Sequence, residues 1–404
     1  MPPADSGTIA TVLANDMDVM RRPAPNLPAH ATLTIGLLAV VTSLWLGPVA
    51  ARGQAVPILE PPSFVTSMHE VKSLSFLNSV LGWVVIENHE RQQSQLFVTN
   101  DGGKGWKGRG IPSGIFQVSF VNSRLGWALK LTQGKEPDEQ TFYLLRTEDG
   151  GRNWKDALSR PIVESHGVWQ GSAKELAFAD SLHGLVIGAG LPVTSQPAAL
   201  VMRTIDGGRT VQRVDEVSKF LGASWGLFAS REAGLWVYGE GYVIHSSDFG
   251  KTWESPLELS PLVAYPFLPR SILLRPTGRG WLSGTSMKAF IWGTNDFGKH
   301  WREEIEMGNY LSFDNLTSWD DDHACATMNS DLFCTANGGS TWKQKKEVLV
   351  TSPGSGVITK LVILPSGRGW FLCQGGLLYQ TDDAGQTWVT LDLVDSADSQ
   401  NQPQ

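Results

Sequence analysis

The chain is poor in the residues that build most reactive centres. Its 404 residues include three cysteines, six tyrosines and eight histidines. The histidines show no ligand-like pair spacing, which argues against zinc. Each Gly-Gly pair lies between strand-like runs, so no phosphate-cradling loop opens a helix and nucleotide binding has no support. No cysteine follows the apolar run near the N-terminus, which argues against lipid attachment. Asp320-Asp321-Asp322 could suggest calcium, and a polar turn explains it equally well. No metal, cofactor or nucleic acid is therefore expected.

What the chain does have is repetition. One eight-residue phrase returns seven times: TNDGGKGW, TEDGGRNW, TIDGGRTV, SSDFGKTW, TNDFGKHW, TANGGSTW and TDDAGQTW. Its third positions are Asp101, Asp149, Asp206, Asp248, Asp296, Asn337 and Asp383, separated by 41 to 57 residues, the size of one propeller blade. A second phrase precedes each box, as in LNSVLGW at Trp83, VNSRLGW at Trp127 and PSGRGW at Trp370. Between them lie apolar and β-branched runs bounded by turn residues, which read as strands.

The expected fold is all-β, a seven-bladed β-propeller of four-stranded antiparallel blades. Strand A leads through a turn to strand B at the Gly-Trp; strand C enters the box and strand D leaves it. In the box an aspartate accepts bonds from nearby amides and a glycine tolerates positive φ, so the loop folds on itself. The closing tryptophan is expected to bury its ring against the neighbouring blade. Val211 and Asn337 mark weakened copies.

Residues 1–55 read as an export leader, 64–393 as the propeller and 394–404 as a disordered polar tail. The leader holds an uncharged stretch from Ala31 to Ala51 after Arg21-Arg22. Its apolar core is short for a membrane span and Gly47-Pro48 would break its helix, so a cleaved signal is expected, a retained anchor being the alternative. Cys325 and Cys334 stand at equal distances from an Asn329-Ser330 turn, and so face each other as a non-hydrogen-bonded pair. A disulfide there is geometrically feasible in an oxidising compartment, and two reduced core thiols are an equal alternative.

The topology puts the A-to-B turns and the boxes on one face. That face carries Arg124, Arg231, Arg279 and Arg368 in the turns and Lys104, Arg152, Arg209, Lys251 and Lys299 in the boxes. A protein of net charge -7 thus concentrates nine cations there, suited to an acidic peptide, lipid headgroups or a carboxylate terminus, or simply to solubility. On the other face the B-to-C connections are longest in blades 1 to 3 (Glu87 to Gln93, Thr132 to Gln140, Leu191 to Ala198), a candidate recognition mouth.

The tandem of an apolar-x-Asn/Asp-x-x-x-Gly-Trp phrase with an Asp box resembles the photosystem II stability/assembly factor family of propellers, from about Phe64 to Leu393. The resemblance implies a non-enzymatic assembly scaffold, monomeric and at most peripheral to the membrane. Such a scaffold holds membrane-protein intermediates through an arginine-bearing face, in a periplasm or thylakoid lumen. Asp-box propellers also include sialidases, so a carbohydrate-active or glycan-binding protein is the alternative. A sialidase-like site needs an early Phe/Tyr-Arg-Ile-Pro phrase, and the nearest run, Leu268-Pro269-Arg270-Ser271, has the wrong order. Asp138, Glu139, Glu164 and Asp215 are candidates for a glycosidase pair and read more simply as solvated loop residues. No catalytic residue is assigned.

Overall fold

The computed structural model describes residues 69–88, 93–135, 139–165, 173–190, 198–222, 225–259, 267–308, 311–329, 331–345, 358–373 and 378–391. The leader, the tail and the segment Phe64 to Met68, a candidate closing strand, lie outside them. Seven sheets follow one another, each a four-stranded antiparallel meander from one contiguous stretch of chain. Blade 1 comprises His69–Phe76, Gly82–Asn88, Gln93–Thr99 and Lys107–Ile111. Blade 2 comprises Ile115–Phe120, Gly126–Gln133, Gln140–Thr147 and Lys155–Asp156, with Val163–Ser165 added beside its third strand. Blade 7 closes the series with Ile358–Ile363, Gly369–Cys373, Leu378–Thr381 and Val389–Thr390. Successive A strands pack side by side, and that of blade 7 meets that of blade 1, which makes the fold a seven-bladed β-propeller.

The Gly-Trp phrase has a steric logic. A Cβ on Gly126 would stand 2.4 Å from the ring of Phe120 on strand A of the same blade, so only glycine fits beneath that ring. The Phe ring in turn stacks on the Gly-Trp tryptophan of the preceding blade. The pairs are Trp83–Phe120 at 4.1 Å, Trp127–Phe178 at 3.6 Å and, across the ring closure, Trp370–Phe76 at 4.5 Å. Among the described residues Trp83, Trp127, Trp281 and Trp370 are the fully buried tryptophans. The box tryptophans Trp106, Trp154, Trp253, Trp301, Trp342 and Trp388 pack against the inter-blade clusters as expected, but are only half-buried, and lie just before strand D.

The seven boxes share one hydrogen-bond set. In box 2 the Thr147 hydroxyl donates to Asp149 Oδ1 at 2.9 Å and accepts from the Gly151 amide at 2.9 Å, while Asp149 Oδ1 accepts from the Asn153 amide at 2.9 Å. The set survives in box 6, where Asn337 Oδ1 accepts from Thr335 and from the Thr341 amide. Four of the loops, those of boxes 2, 3, 4 and 6, are then tied to the blade before them. Arg109 donates to Gly150 O, Trp127 Nε1 to Gly207 O at 2.9 Å, Arg203 to Gly250 O and Arg279 to Gly338 O at 2.5 Å. The channel-lining A strands are linked similarly: Gln117 and Ser119 accept from the amides of Leu176 and Phe178, Ser271 from Leu316 and Thr317 from Ile363.

These bonds give the boxes a pH dependence. Asp248 is held down at about 2, first by the Thr252 amide, and Asp296 at about 2, first by the His300 side chain. An unfolded aspartate titrates near ~3.9. Because the folded values are lower, the stabilisation is present above ~3.9 and lost as pH falls through about 2. The urea midpoint should therefore hold steady above about pH 5 and fall between about pH 4 and 2, and less steeply there in Asp248→Asn. A profile identical in the variant would remove Asp248 from this account.

Cys325 and Cys334 pair across strands B and C of blade 6 and form a disulfide, with Cα atoms 4.1 Å apart. Closing so short a loop is worth about 2–3 kcal/mol in the chain-entropy picture. Cys373 is free and buried in the same core cluster, and burial pushes its thiol up to about 11.

Candidate basic crevice between blades 1 and 2

The box-bearing end of blades 1 and 2 opens into a crevice of about 450 Å³, lined by Lys107, Arg109, Arg124, Arg152, Asp101 and Asp149 among others. Three guanidinium groups are fastened to three consecutive carbonyls of box 2. Arg124 Nε donates to Glu148 O at 3.3 Å, Arg152 Nη1 to Asp149 O at 2.9 Å, and Arg109 Nη1 to Gly150 O. Arg124 comes from the A-to-B turn of blade 2, where Asn122 Oδ1 caps the amides of Arg124 and Leu125 and shapes the turn. Arg109 reaches across from strand D of blade 1, a five-residue strand where most blades have two residues.

Fastening guanidinium groups to one loop concentrates like charge. Burial first, and then the neighbouring Arg152, push the Arg109 guanidinium below its ordinary value. The aspartates do not relax this by taking up protons. The amide of Asn153 leads the bonds that hold Asp149 well below the usual carboxylate range, and the Gly105 amide does the same for Asp101. Four cationic and two anionic side chains leave the crevice with a net positive field, suited to a carboxylate or another anion. The hydrogen bonds that lower both carboxyls favour their charged forms and so disfavour either as a general acid.

The structure brings together two of the nine expected cations, Arg124 and Arg152, in this crevice. Lys104 and Arg209 are exposed in the flanking boxes, Arg209 on its own carbonyl at Asp206. Arg231, Lys251 and Lys299 are exposed on blades 4 and 5, away from it. Arg368 is ion-paired with Asp382 at 2.6 Å. Arg279 departs from expectation altogether: it is 7% exposed and bonded to Glu304, Asn295 and Gly338, so it acts as a structural residue and is out of a partner's reach.

Lys107 and Arg109 were not anticipated. Their signal is the alternation Lys-Gly-Arg directly after Trp106, which puts two cations on one face of a strand. Asp320-Asp321-Asp322 is a turn: Asp320 caps the Asp322 and His323 amides, and Asp321 accepts from Arg275 and Thr277. The B-to-C connection of blade 2 is shorter than expected, since pairing continues to Gln133↔Gln140. Those of blades 1 and 3 fall largely outside the described residues.

No protein-family model matches this sequence, and no curated protein does. Solved structures do. A structure described as YCF48 bound to D1 peptide is 21% identical, with a TM-score of 0.50 over 77% of this chain and 92% of that one. YCF48 from Cyanidioschyzon merolae is 17% identical, with a TM-score of 0.52 over 78% and 96%. The GH74 xyloglucanase from Xanthomonas campestris is 13% identical, with a TM-score of 0.54 over 80% of this chain and 54% of the enzyme. At these identities the likeness is one of fold, and it spans binding proteins and enzymes alike.

Proposed function

We propose that this chain is an exported, non-enzymatic binding scaffold whose basic crevice between blades 1 and 2 holds an acidic segment of a protein partner. The observation that carries this reading is the triad Arg109, Arg124 and Arg152, fixed by three consecutive carbonyls of one loop and presenting positive charge to the crevice. Preorganised guanidinium groups bind carboxylates with little ordering cost. A peptide-bound propeller of the same fold supports the partner class, and the box and Gly-Trp tandem supports a role like that of photosystem II assembly factors. The client would then be a membrane or envelope protein under assembly.

The test is a titration with acidic peptides at low and moderate salt. Binding should weaken by roughly tenfold or more in Arg124→Glu/Arg152→Glu, and more steeply with salt in the parent than in the variant. Equal affinity in parent and variant would remove the crevice from the reading. Hydrolysis or cleavage of an oligosaccharide by the parent would replace a scaffold with an enzyme.

A further inference from the structure

Seven large hydrophobic side chains are exposed among the described residues, and four of them occupy one end of two blades. Leu77 and Val80, 42% and 49% exposed, lie in the A-to-B turn of blade 1. Leu182 and Ile205, 45% and 42% exposed, lie in the A-to-B turn and box of blade 3, tied together by the Gly207 amide donating to Leu182 O at 2.9 Å. In most other boxes the position of Ile205 is polar: Asn100, Glu148, Ser247, Asn295 and Asp382. Between the two aliphatic pairs stands blade 2 with its basic crevice, and exposed Lys104 and Arg209 flank it in boxes 1 and 3. On the same end, the blade 6 turn carries Asp320, Asp321 and Asp322, with Asp321 paired to Arg275, and blade 7 carries Asp382 paired to Arg368.

We infer that this end of blades 1 to 3 docks on the surface of a bilayer containing anionic phospholipid. The four aliphatic side chains enter the boundary between headgroups and acyl chains, while Lys104, Arg209 and the crevice cations meet lipid phosphate. Aliphatic tips rimmed by cations favour such an interface, since neither apolar insertion nor charge attraction alone anchors a protein firmly. The blade 6 turn keeps a net negative charge beyond its Arg275–Asp321 pair and is repelled, so the ring sits tilted with blades 1 to 3 down. The inference rests on the proposed scaffold role only for its purpose: docking would bring the crevice to the surface where acidic segments of membrane proteins emerge.

The experiment is hydrogen exchange of the full chain with vesicles of phosphatidylcholine alone or mixed with phosphatidylglycerol. It is repeated in a Leu77→Ser/Val80→Ser/Leu182→Ser/Ile205→Ser variant, and acidic-peptide affinity is measured in solution for both proteins. Reading individual turns separates this face from any contribution of the apolar leader. Exchange at residues 77–81, 181–183 and 205–209 should slow by about fivefold or more with anionic vesicles and not with phosphatidylcholine, while residues 320–323 stay unchanged. The variant should lose this protection and keep its peptide affinity. Unprotected turns in the parent, or equal protection in the variant, would overturn the docking inference. Persistent peptide binding in that case leaves the scaffold reading standing, and its loss in the parent defeats that reading separately.

Discussion

Glu304→Ala should destabilise the propeller by about 3–5 kcal/mol, the range for breaking a buried ion pair. The Glu304 side chain has no solvent exposure and gathers three donors: Arg279 Nη2 at 2.5 Å, Trp281 Nε1 at 3.1 Å and Trp342 Nε1 at 3.2 Å. Removing the carboxylate strands a buried guanidinium and two indole N–H groups at once. Glu304→Gln keeps an acceptor and should lose less, and Arg279→Met/Glu304→Leu should recover much of the loss, because an apolar pair removes both desolvated charges. Urea unfolding of the three variants is the measurement. If Glu304→Ala unfolds within about 1 kcal/mol of the parent, the network is not the brace between blades 5 and 6 described here.

Trp127→Ala should cost about 3–5 kcal/mol as well, by a different route. Its ring is fully buried, stacks on Phe178 of the next blade at 3.6 Å and donates to Gly207 O at 2.9 Å. Truncation opens a cavity between blades 2 and 3 and leaves a loop carbonyl without its donor. Trp154→Ala is the control: that ring is half-buried and its Nε1 donates only to Gly151 O of its own box. The Trp127 variant should therefore lose clearly more stability than the Trp154 variant. Equal losses would mean that the two tryptophan positions carry similar weight.

Much of this fold is legible in the sequence because a propeller repeats its constraints. Seven boxes at blade-sized intervals announce seven hairpins, and counting outward from the expected Asn329-Ser330 turn puts Cys325 opposite Cys334, the pairing strands B and C of blade 6 adopt. Local spacing carries both inferences. It does not carry how deeply each ring is buried between blades. Trp83, Trp127 and Trp370 are buried under a stacked Phe from the following blade, Trp281 beside Arg279 and Glu304, whereas the box tryptophans stay half-buried.

The candidate site was legible only in part for the same reason. Arg124, Arg152 and Arg279 look equivalent as cations in turns and boxes, and only the structure shows Glu304 arriving from strand D of blade 5 to bury Arg279. Arg109 enters the site by reaching into the next blade's box, a contact separated by 41 residues. A charge reversal at Arg279 would abolish binding by unfolding blade 5, so it is a poor probe of the partner surface, whereas Arg124 and Arg152 are exposed and report on binding.

The most direct test of the scaffold reading is affinity capture of the tagged protein from its native cells after mild crosslinking, with Arg124→Glu/Arg152→Glu in parallel. The account predicts one membrane or envelope protein enriched by the parent, crosslinked through an acidic segment to blades 1 and 2, and lost in a variant that remains folded. Enrichment of the same protein by both forms, or of nothing but glycan by the parent, would contradict it.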